Sequence, residues 1–144
     1  MKTSLVRYLG GKTRLSRQLH EHMHATLDVS ASYCESFVGG GGMLLPTLHN
    51  YRNITKVFIN DLDLDIYSMW SSLVHNPLDV LYLLKSYECS VAFFESLLNQ
   101  TPQSEVERAA RTFFLRYTSF GAFGKTPIGG WRQETNFRID HFWK

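Results

Sequence analysis

Hydrophobic positions recur with helical spacing over most of the chain, and only two short runs predict strands. Leucines and methionine spaced by four predict an amphipathic helix that begins after Gly10-Gly11-Lys12-Thr13 and uses Thr13 as its N-cap. Further helices are predicted at about 43–49, 62–73, 77–84 and 91–98. The clearest apolar face predicts a helix over 106–117 and consists of Val106, Ala109, Ala110, Phe113, Phe114 and Tyr117.

The two predicted strands cover Tyr33–Val38, which a glycine run ends, and Lys56–Asp61, which is apolar and β-branched before its polar end. A strand, a loop, a helix, a second strand and a helix form the beginning of a doubly wound α/β domain. The segment 121–144 is rich in glycine and predicts a loop or an irregular hairpin.

Composition restricts the class of protein. A chain of 144 residues with 44% hydrophobic and 19% charged residues can bury a core, which argues against intrinsic disorder. No apolar run approaches the roughly 18 residues that span a bilayer, and the first residues lack the apolar core of a signal peptide. Cys34 and Cys89 are too few and too far apart to indicate a disulfide framework or a zinc site. We therefore expect a cytoplasmic protein with no membrane partner.

Charge is unevenly distributed behind a net value of +2. Residues 1–56 hold seven Lys and Arg against three Asp and Glu, residues 57–104 hold one against six, and residues 105–144 hold seven against four. Basic ends around an acidic middle suit a polyanion partner, although ordinary surface scatter in a small chain explains the same pattern.

A Gly10-Gly11-Lys12 segment at the start of a helix brings backbone N–H groups and an ammonium together, which suits either an anion site or a plain capping loop. A phosphate-binding loop of a nucleotide kinase would need glycine at position 6, where Val6 stands. His20 and His24 have metal-ligand spacing, but without an evident third ligand a solvated helix face is the better interpretation.

A second segment, Glu35–Gly42, runs from a strand into four glycines, where a cofactor can approach the backbone closely. A dinucleotide fingerprint needs a further glycine at position 44, which is Leu44, so a cofactor without a pyrophosphate is favoured. Asp61 ends the second strand about 20 residues later, where an acid can accept both hydroxyls of a ribose. Asp63 and Asp65 are better explained as acids at a helix N-terminus than as calcium ligands.

Together these segments resemble the amino-terminal part of Dam-type adenine-specific DNA methyltransferases. That family has an aromatic-x-Gly-Gly-Lys segment, then Glu-Pro-Phe-x-Gly-x-Gly, then an Asn/Asp pair that ends the next strand. The resemblance implies a Rossmann-like methyltransferase fold, S-adenosylmethionine as cofactor and double-stranded DNA as partner. The cofactor-binding residues that it implies are Tyr8, Gly10, Gly11, Lys12, Glu35, Phe37, Gly39, Gly41 and Asp61. The DNA-binding residues that it implies, at the end of the last helix and in the glycine-rich segment after it, are Arg116, Tyr117, Lys125 and Arg132.

Departures from the family's pattern are visible in the sequence. Ser36 replaces the proline of the second segment, and Phe120 stands where the family usually has asparagine. The catalytic Asp-Pro-Pro-Tyr motif does not occur in these 144 residues, so the sequence predicts no catalytic residue and no metal ligand. In that family the motif accepts the N–H bonds of adenine's weakly nucleophilic amine and stacks on the flipped base.

We therefore expect an incomplete sheet, with a cofactor-binding α/β part at 1–75 and a helical region at 76–144 that leads into DNA recognition. The expected function is methyl transfer from S-adenosylmethionine to adenine in DNA, in a chain that is truncated or completed by a second chain and inactive alone. The alternative is a non-catalytic module that binds the cofactor or DNA and depends on another polypeptide.

Overall fold

The computed structural model describes residues 4–6, 8, 10–23 and 31–127, and it divides into two compact units, Met1–Asp63 and Leu64–Lys144. This structural division lies after Asp63. The boundary predicted at residue 75 separates a cofactor-binding part from a DNA-recognition part, and it stays a prediction. The first unit contains a small parallel sheet, and the second is helical, which makes the chain a mixed α/β protein. Within the described ranges, no helix is long and apolar enough to cross a bilayer.

In the first unit, strands β1 (Ala31–Glu35) and β2 (Ile54–Ile59) pair in parallel and are connected through helix α2 (Leu44–Asn50). Helix α1 (Ser16–Met23) precedes them and follows a 3-10 turn over Lys12–Arg14. A parallel pair needs a crossover connection, and α2 supplies it; Pro46 is tolerated because it lies in the first turn of that helix.

Both strands begin two residues earlier than predicted and also end earlier. After Glu35 the chain leaves the ladder and forms a turn, in which the Val38 N–H donates to the carbonyl of Asn60 (3.0 Å). The Asn60 N–H in turn donates to the Glu35 carbonyl (3.0 Å). The carboxyl ends of β1 and β2 are therefore hydrogen-bonded side by side at one edge of the sheet.

Two details predicted for α1 are wrong. Thr13 is not the N-cap, because it lies inside the preceding 3-10 turn and its carbonyl accepts a hydrogen bond from Ser16 Oγ (2.8 Å). The buried face contains Ser16 and His20, whereas Leu15 and Leu19 are 55% and 41% exposed. The buried face carries a long-range polar contact made by His20, and hydrophobic periodicity does not register such a contact.

His20 is only 8% exposed and connects α1 to α2, which corrects the prediction of a solvated face. Its Nε2 lies 2.8 Å from Thr47 Oγ1, and the Tyr51 hydroxyl donates to its carbonyl (2.9 Å). Since the Thr47 hydroxyl donates to the carbonyl of Met43 (2.7 Å), the geometry favours the tautomer with the proton on Nε2. Burial lowers the pKa of the His20 imidazole below its ordinary value. His24 lies outside the described residues.

The second unit consists of α3 (Leu64–His75), α4 (Pro77–Ser86), α5 (Val91–Asn99) and α6 (Glu105–Thr118), followed by a 3-10 turn over Phe120–Ala122. Pro77 occupies the first turn of α4, where its missing N–H costs nothing. Ser90 and Ser104 cap α5 and α6 by accepting hydrogen bonds from the N–H groups of Phe93 and Glu107.

The apolar face predicted for α6 is confirmed over most of its length. Its four central members are buried and are Ala109, Ala110, Phe113 and Phe114. The Phe114 ring meets the rings of Tyr87 and Phe93 edge to face, with centroids 5.6 Å apart in each pair. Tyr117, at the end of the same face, is 38% exposed.

Two arginines of the basic carboxyl-terminal segment are held in ion pairs within the helical unit. Arg108 and Arg111 lie 3.2 and 3.6 Å from the two carboxylate oxygens of Asp65. Arg111 Nε also donates to the carbonyl of Leu97 (2.6 Å), in the last turn of α5. The two guanidinium groups share this one carboxylate, so part of their positive charge is offset within the unit and is less available to a polyanion partner.

Candidate cofactor-binding site

The glycine run forms a turn immediately after β1, and its four members are required for two different reasons. Gly39 and Gly41 have φ values of +49° and +77°, which side chains rarely tolerate. Gly40 and Gly42 are enclosed instead: a Cβ on Gly40 would lie 2.1 Å from the Val6 carbonyl oxygen, and one on Gly42 would lie 2.5 Å from Thr13 Oγ1. Packing within the unit therefore explains part of this motif without any ligand.

Asp61 fastens this turn to the end of β2. Its Oδ2 accepts the backbone N–H of Gly39 (2.7 Å), and its Oδ1 accepts that of Asp63 (3.0 Å). The structure thus brings Gly39 and Asp61, which are 22 residues apart, into direct contact. A carboxylate has about four lone-pair directions, so two amide bonds leave acceptor capacity for a further donor such as a hydroxyl.

Lys12 links the first predicted segment to the second. Its Nζ lies 3.1 Å from Glu35 Oε1 and donates to the carbonyl of Phe37 (2.8 Å). The Glu35 side chain is 8% exposed and that of Lys12 is 42% exposed, so the ammonium provides the counter-charge that a buried carboxylate needs. Lys12 is therefore an internal ion-pair partner, and the Gly10-Gly11-Lys12 segment does not form an anion loop by itself.

Tyr33 joins Lys12 and Glu35 in one bonded cluster, and it was not predicted from the sequence. Its hydroxyl donates to Glu35 Oε2 (2.8 Å), so both oxygens of that carboxylate are bonded. Burial, and then the bond to Glu35, raise the pKa of the Tyr33 phenol well above its usual range, which keeps it a donor at any physiological pH. A spacing of two residues on a strand places both side chains on one face, and this alternation was the available signal.

The remaining predicted cofactor residues lie around the same edge. Gly11 N–H donates to the Tyr8 carbonyl (3.0 Å), Gly10 has a φ of +74°, and the Tyr8 ring lies against Gly39. The side chain of Phe37 is 64% exposed, next to the Lys12 ammonium that binds its carbonyl. The structure thus collects the three predicted segments at the carboxyl ends of the two parallel strands, where open α/β sheets bind ligands.

A cavity of about 380 Å³ opens beside this cluster. Its lining consists of Lys12, Met23, Ser32, Tyr33, Cys34, Glu35, Met43 and Ile54. Lys12 and Glu35 belong both to this cavity and to the predicted cofactor residues, whereas Gly39 and Asp61 are not among the described residues that line it. The ion pair therefore lies at the boundary between the cavity and the glycine turn.

The predicted DNA-binding residues fall in the helical unit. Arg116 and Tyr117 are in the last turn of α6, and Lys125 is exposed in the loop that follows. That loop closes on itself, because the Phe120 N–H donates to the carbonyl of Thr126 (2.8 Å). A Cβ on Gly124 would lie 3.8 Å from the Arg116 side chain, so the loop folds back on the end of α6. Arg132 lies outside the described residues.

Two further features complete the account of candidate chemistry. Cys34 and Cys89 are both exposed. Among the side chains described, no three His, Cys, Asp or Glu residues are grouped so that they could hold a metal ion.

Comparison with known proteins decides the family. The family model of the D12 class N6 adenine-specific DNA methyltransferases matches residues 8–139. The chain belongs to this family. It is also 28% identical to the type II methyltransferase M.MjaIII of Methanocaldococcus jannaschii over 132 residues, which cover 80% of this chain and 45% of that relative. The chain therefore spans less than half of the length of this relative.

The resemblance to adenine-specific DNA methyltransferases that the sequence motifs indicate is thus confirmed. The family match begins at Tyr8 and includes the glycine turn, Asp61 and the whole of α6. It therefore covers both compact units of this D12-class chain.

Proposed function

We propose that this chain binds S-adenosylmethionine at the carboxyl ends of β1 and β2 and serves as the cofactor-binding and DNA-contacting part of an adenine-specific DNA methyltransferase with a Rossmann-like sheet. The observation that carries the proposal is the 2.7 Å hydrogen bond between the Gly39 N–H and Asp61 Oδ2. It joins the two motifs that this family would use for its cofactor.

The residues at this edge fit the chemical groups of that cofactor. Asp61 retains acceptor capacity for the hydroxyls of a ribose, and the exposed ring of Phe37 offers a flat apolar surface for a base. The Lys12 ammonium is paired with Glu35 and bonded to the Phe37 carbonyl, but it has three N–H donors and is 42% exposed, so one donor remains for the carboxylate of the methionine part. When bound, the cofactor supplies an activated methyl group on a sulfonium.

In this proposal the chain's own residues bind and orient the cofactor, and they do not carry out the methyl transfer. Methyl transfer needs acceptors for the N–H bonds of the adenine amine, placed so that the amine attacks the methyl group in line. The Asp-Pro-Pro-Tyr motif supplies them in the family and does not occur in these 144 residues. We therefore propose that the motif comes from polypeptide beyond these residues or from a second chain.

The sheet supports the same proposal. Parallel sheets are normally covered on both faces, yet the side chains of Thr55 to Phe58 on β2 are exposed, with Phe58 at 58%. Further strands and a covering layer would bury this surface. The described part of the sheet has two strands, and a two-stranded sheet is marginal by itself.

The DNA-contacting role rests on Arg116, Tyr117 and Lys125. They lie at the end of α6 and in its closed loop, where basic and aromatic groups can reach phosphates and bases. Arg132 is proposed for the same role from the sequence alone.

The second candidate function is a non-catalytic module that binds the cofactor or DNA, and the missing Asp-Pro-Pro-Tyr motif favours it. Two measurements separate the candidates. Isothermal titration with S-adenosylmethionine tests the cofactor site, with ATP as the control nucleotide, and a methyl-transfer assay on duplex DNA tests the reaction. The expected result is cofactor binding without methyl transfer, which both candidate functions allow. A polypeptide that carries the Asp-Pro-Pro-Tyr motif is then added. Methyl transfer appears on that addition only if the chain is part of a methyltransferase. Transfer by the isolated chain would contradict the role given to the missing motif.

A further inference from the structure

We infer that Tyr33 is a positioning residue for the cofactor, acting through the carboxylate of Glu35. This inference rests on the proposed binding of S-adenosylmethionine at the same edge. It adds to that proposal a residue that lies before the glycine motif and that the sequence reasoning did not assign.

The argument begins with the two oxygens of Glu35. Oε1 is bonded to the Lys12 ammonium (3.1 Å) and Oε2 accepts the Tyr33 hydroxyl (2.8 Å), so the carboxylate is held from two sides. Lys12 is 42% exposed and sits on a short 3-10 turn, whereas Tyr33 belongs to a strand paired with β2. The tyrosine is therefore the more rigid of the two partners.

The orientation of Glu35 then determines where the ammonium of Lys12 lies. Lys12 Nζ bridges Glu35 Oε1 and the carbonyl of Phe37, the residue that leads into the glycine turn. Rotation of the carboxylate would withdraw one of the two acceptors that hold the ammonium. Through Glu35, the hydroxyl of Tyr33 thus fixes a pair of opposite charges beside the turn.

The Tyr33 hydroxyl also remains a hydrogen-bond donor as the pH changes. Tyr33 is half-buried between the sheet and Thr47 of α2, and desolvation raises the pKa of its phenol further from neutrality. The hydroxyl therefore does not lose its proton over the pH range in which a DNA-modifying enzyme operates.

Replacement of Tyr33 by phenylalanine tests the inference because it removes the hydroxyl and keeps the ring. Isothermal titration of the whole chain with S-adenosylmethionine should show an affinity about tenfold weaker than that of the original protein, the size expected for a lost bond to a charged group. The matched control is Tyr51→Phe, since the Tyr51 hydroxyl is also bonded in this unit but donates to the carbonyl of His20. That control should bind the cofactor as the original protein does.

A double-mutant cycle shows whether Tyr33 acts through Glu35. In the Glu35→Gln background, adding Tyr33→Phe should change the affinity by less than about twofold, because the carboxylate that it orients is gone. A purely structural tyrosine would weaken binding by the same factor in both backgrounds, which would overturn the inference. A Glu35→Gln variant that binds as the original protein does would overturn it too.

The remaining outcomes are distinguishable. If the original chain binds S-adenosylmethionine and Tyr33→Phe binds equally well, only the positioning role falls. If the original chain does not bind S-adenosylmethionine, both the proposed function and this inference are wrong. If Tyr33→Phe loses its circular-dichroism signal while Tyr51→Phe keeps it, Tyr33 is a folding residue and the inference is wrong.

Discussion

The two compact units are stabilised in different ways. The helical unit has an apolar core in which Phe94 and Phe114 are fully buried, and the caps and ion pairs lie around it. The sheet unit depends more on polar and steric contacts: the His20–Thr47 bond, the Lys12–Glu35 pair and the Asp61–Gly39 bond. Its second strand leaves Phe58 more than half exposed. The difference teaches that the unit with the candidate site is the one in which a described strand, β2, keeps exposed side chains.

The largest expected effect concerns the core of the helical unit. Phe114→Ala removes a ring that is 0% exposed and packed against two other rings, so the free energy of unfolding should fall by about 3–5 kcal/mol. Urea denaturation followed by circular dichroism measures it. Phe120→Ala is the matched control because that ring is 71% exposed, and it should change stability by less than about 0.5 kcal/mol. Equal effects of the two variants would refute the core assigned to this unit.

A smaller effect is expected at the glycine turn. Gly40→Ala puts a Cβ 2.1 Å from the backbone oxygen of Val6, and the backbone has to shift, at a cost of about 1–3 kcal/mol in the free energy of unfolding. Gly10→Ala measures the cost of a positive φ without a steric clash, because Gly10 has a φ of +74° and no atom within 4 Å of its Cβ position. It should cost about 1 kcal/mol. A Gly40→Ala protein as stable as the original would remove the steric explanation.

The smallest expected effect is a pH dependence within the sheet unit. Burial lowers the pKa of His20 below 6.5, so the unfolded chain takes up this proton more readily than the folded one. The contribution to stability is therefore complete above about pH 6.5 and is lost as the pH falls through the folded-state pKa. His20→Gln should flatten this part of the stability profile measured by urea denaturation. His22→Gln, at an exposed position on the same helix, should leave it unchanged.

Local sequence patterns predicted the helices of the second unit well, because most of their stability follows from an apolar face. The face of α6 and the start of α4 at Pro77 required no information from elsewhere in the chain. The glycine run and Asp61 predicted the place of the candidate site for a similar reason, since strand ends and turns have local residue preferences.

Contacts between distant residues account for what the sequence did not predict. The buried face of α1 carries the bond from His20 to Thr47, 27 residues away, whereas Leu19 on the same helix is 41% exposed. Lys12 bonds to Glu35, 23 residues away, and only the fold shows that the Lys12 ammonium belongs to this ion pair. Tyr33 lies two residues before Glu35 and outside the glycine motif, so that motif does not include it.

The central claim is that the turn after β1 and the acid after β2 together hold the cofactor, and a comparison of two neighbouring aspartates tests it most directly. Isothermal titration with S-adenosylmethionine should show that Asp61→Ala weakens binding by about 1–3 kcal/mol, since it removes charge-assisted hydrogen bonds. Asp63→Ala keeps the backbone N–H that donates to Asp61 and should bind as the original chain does. An unchanged dissociation constant for Asp61→Ala, with the original chain binding the cofactor, would contradict the account.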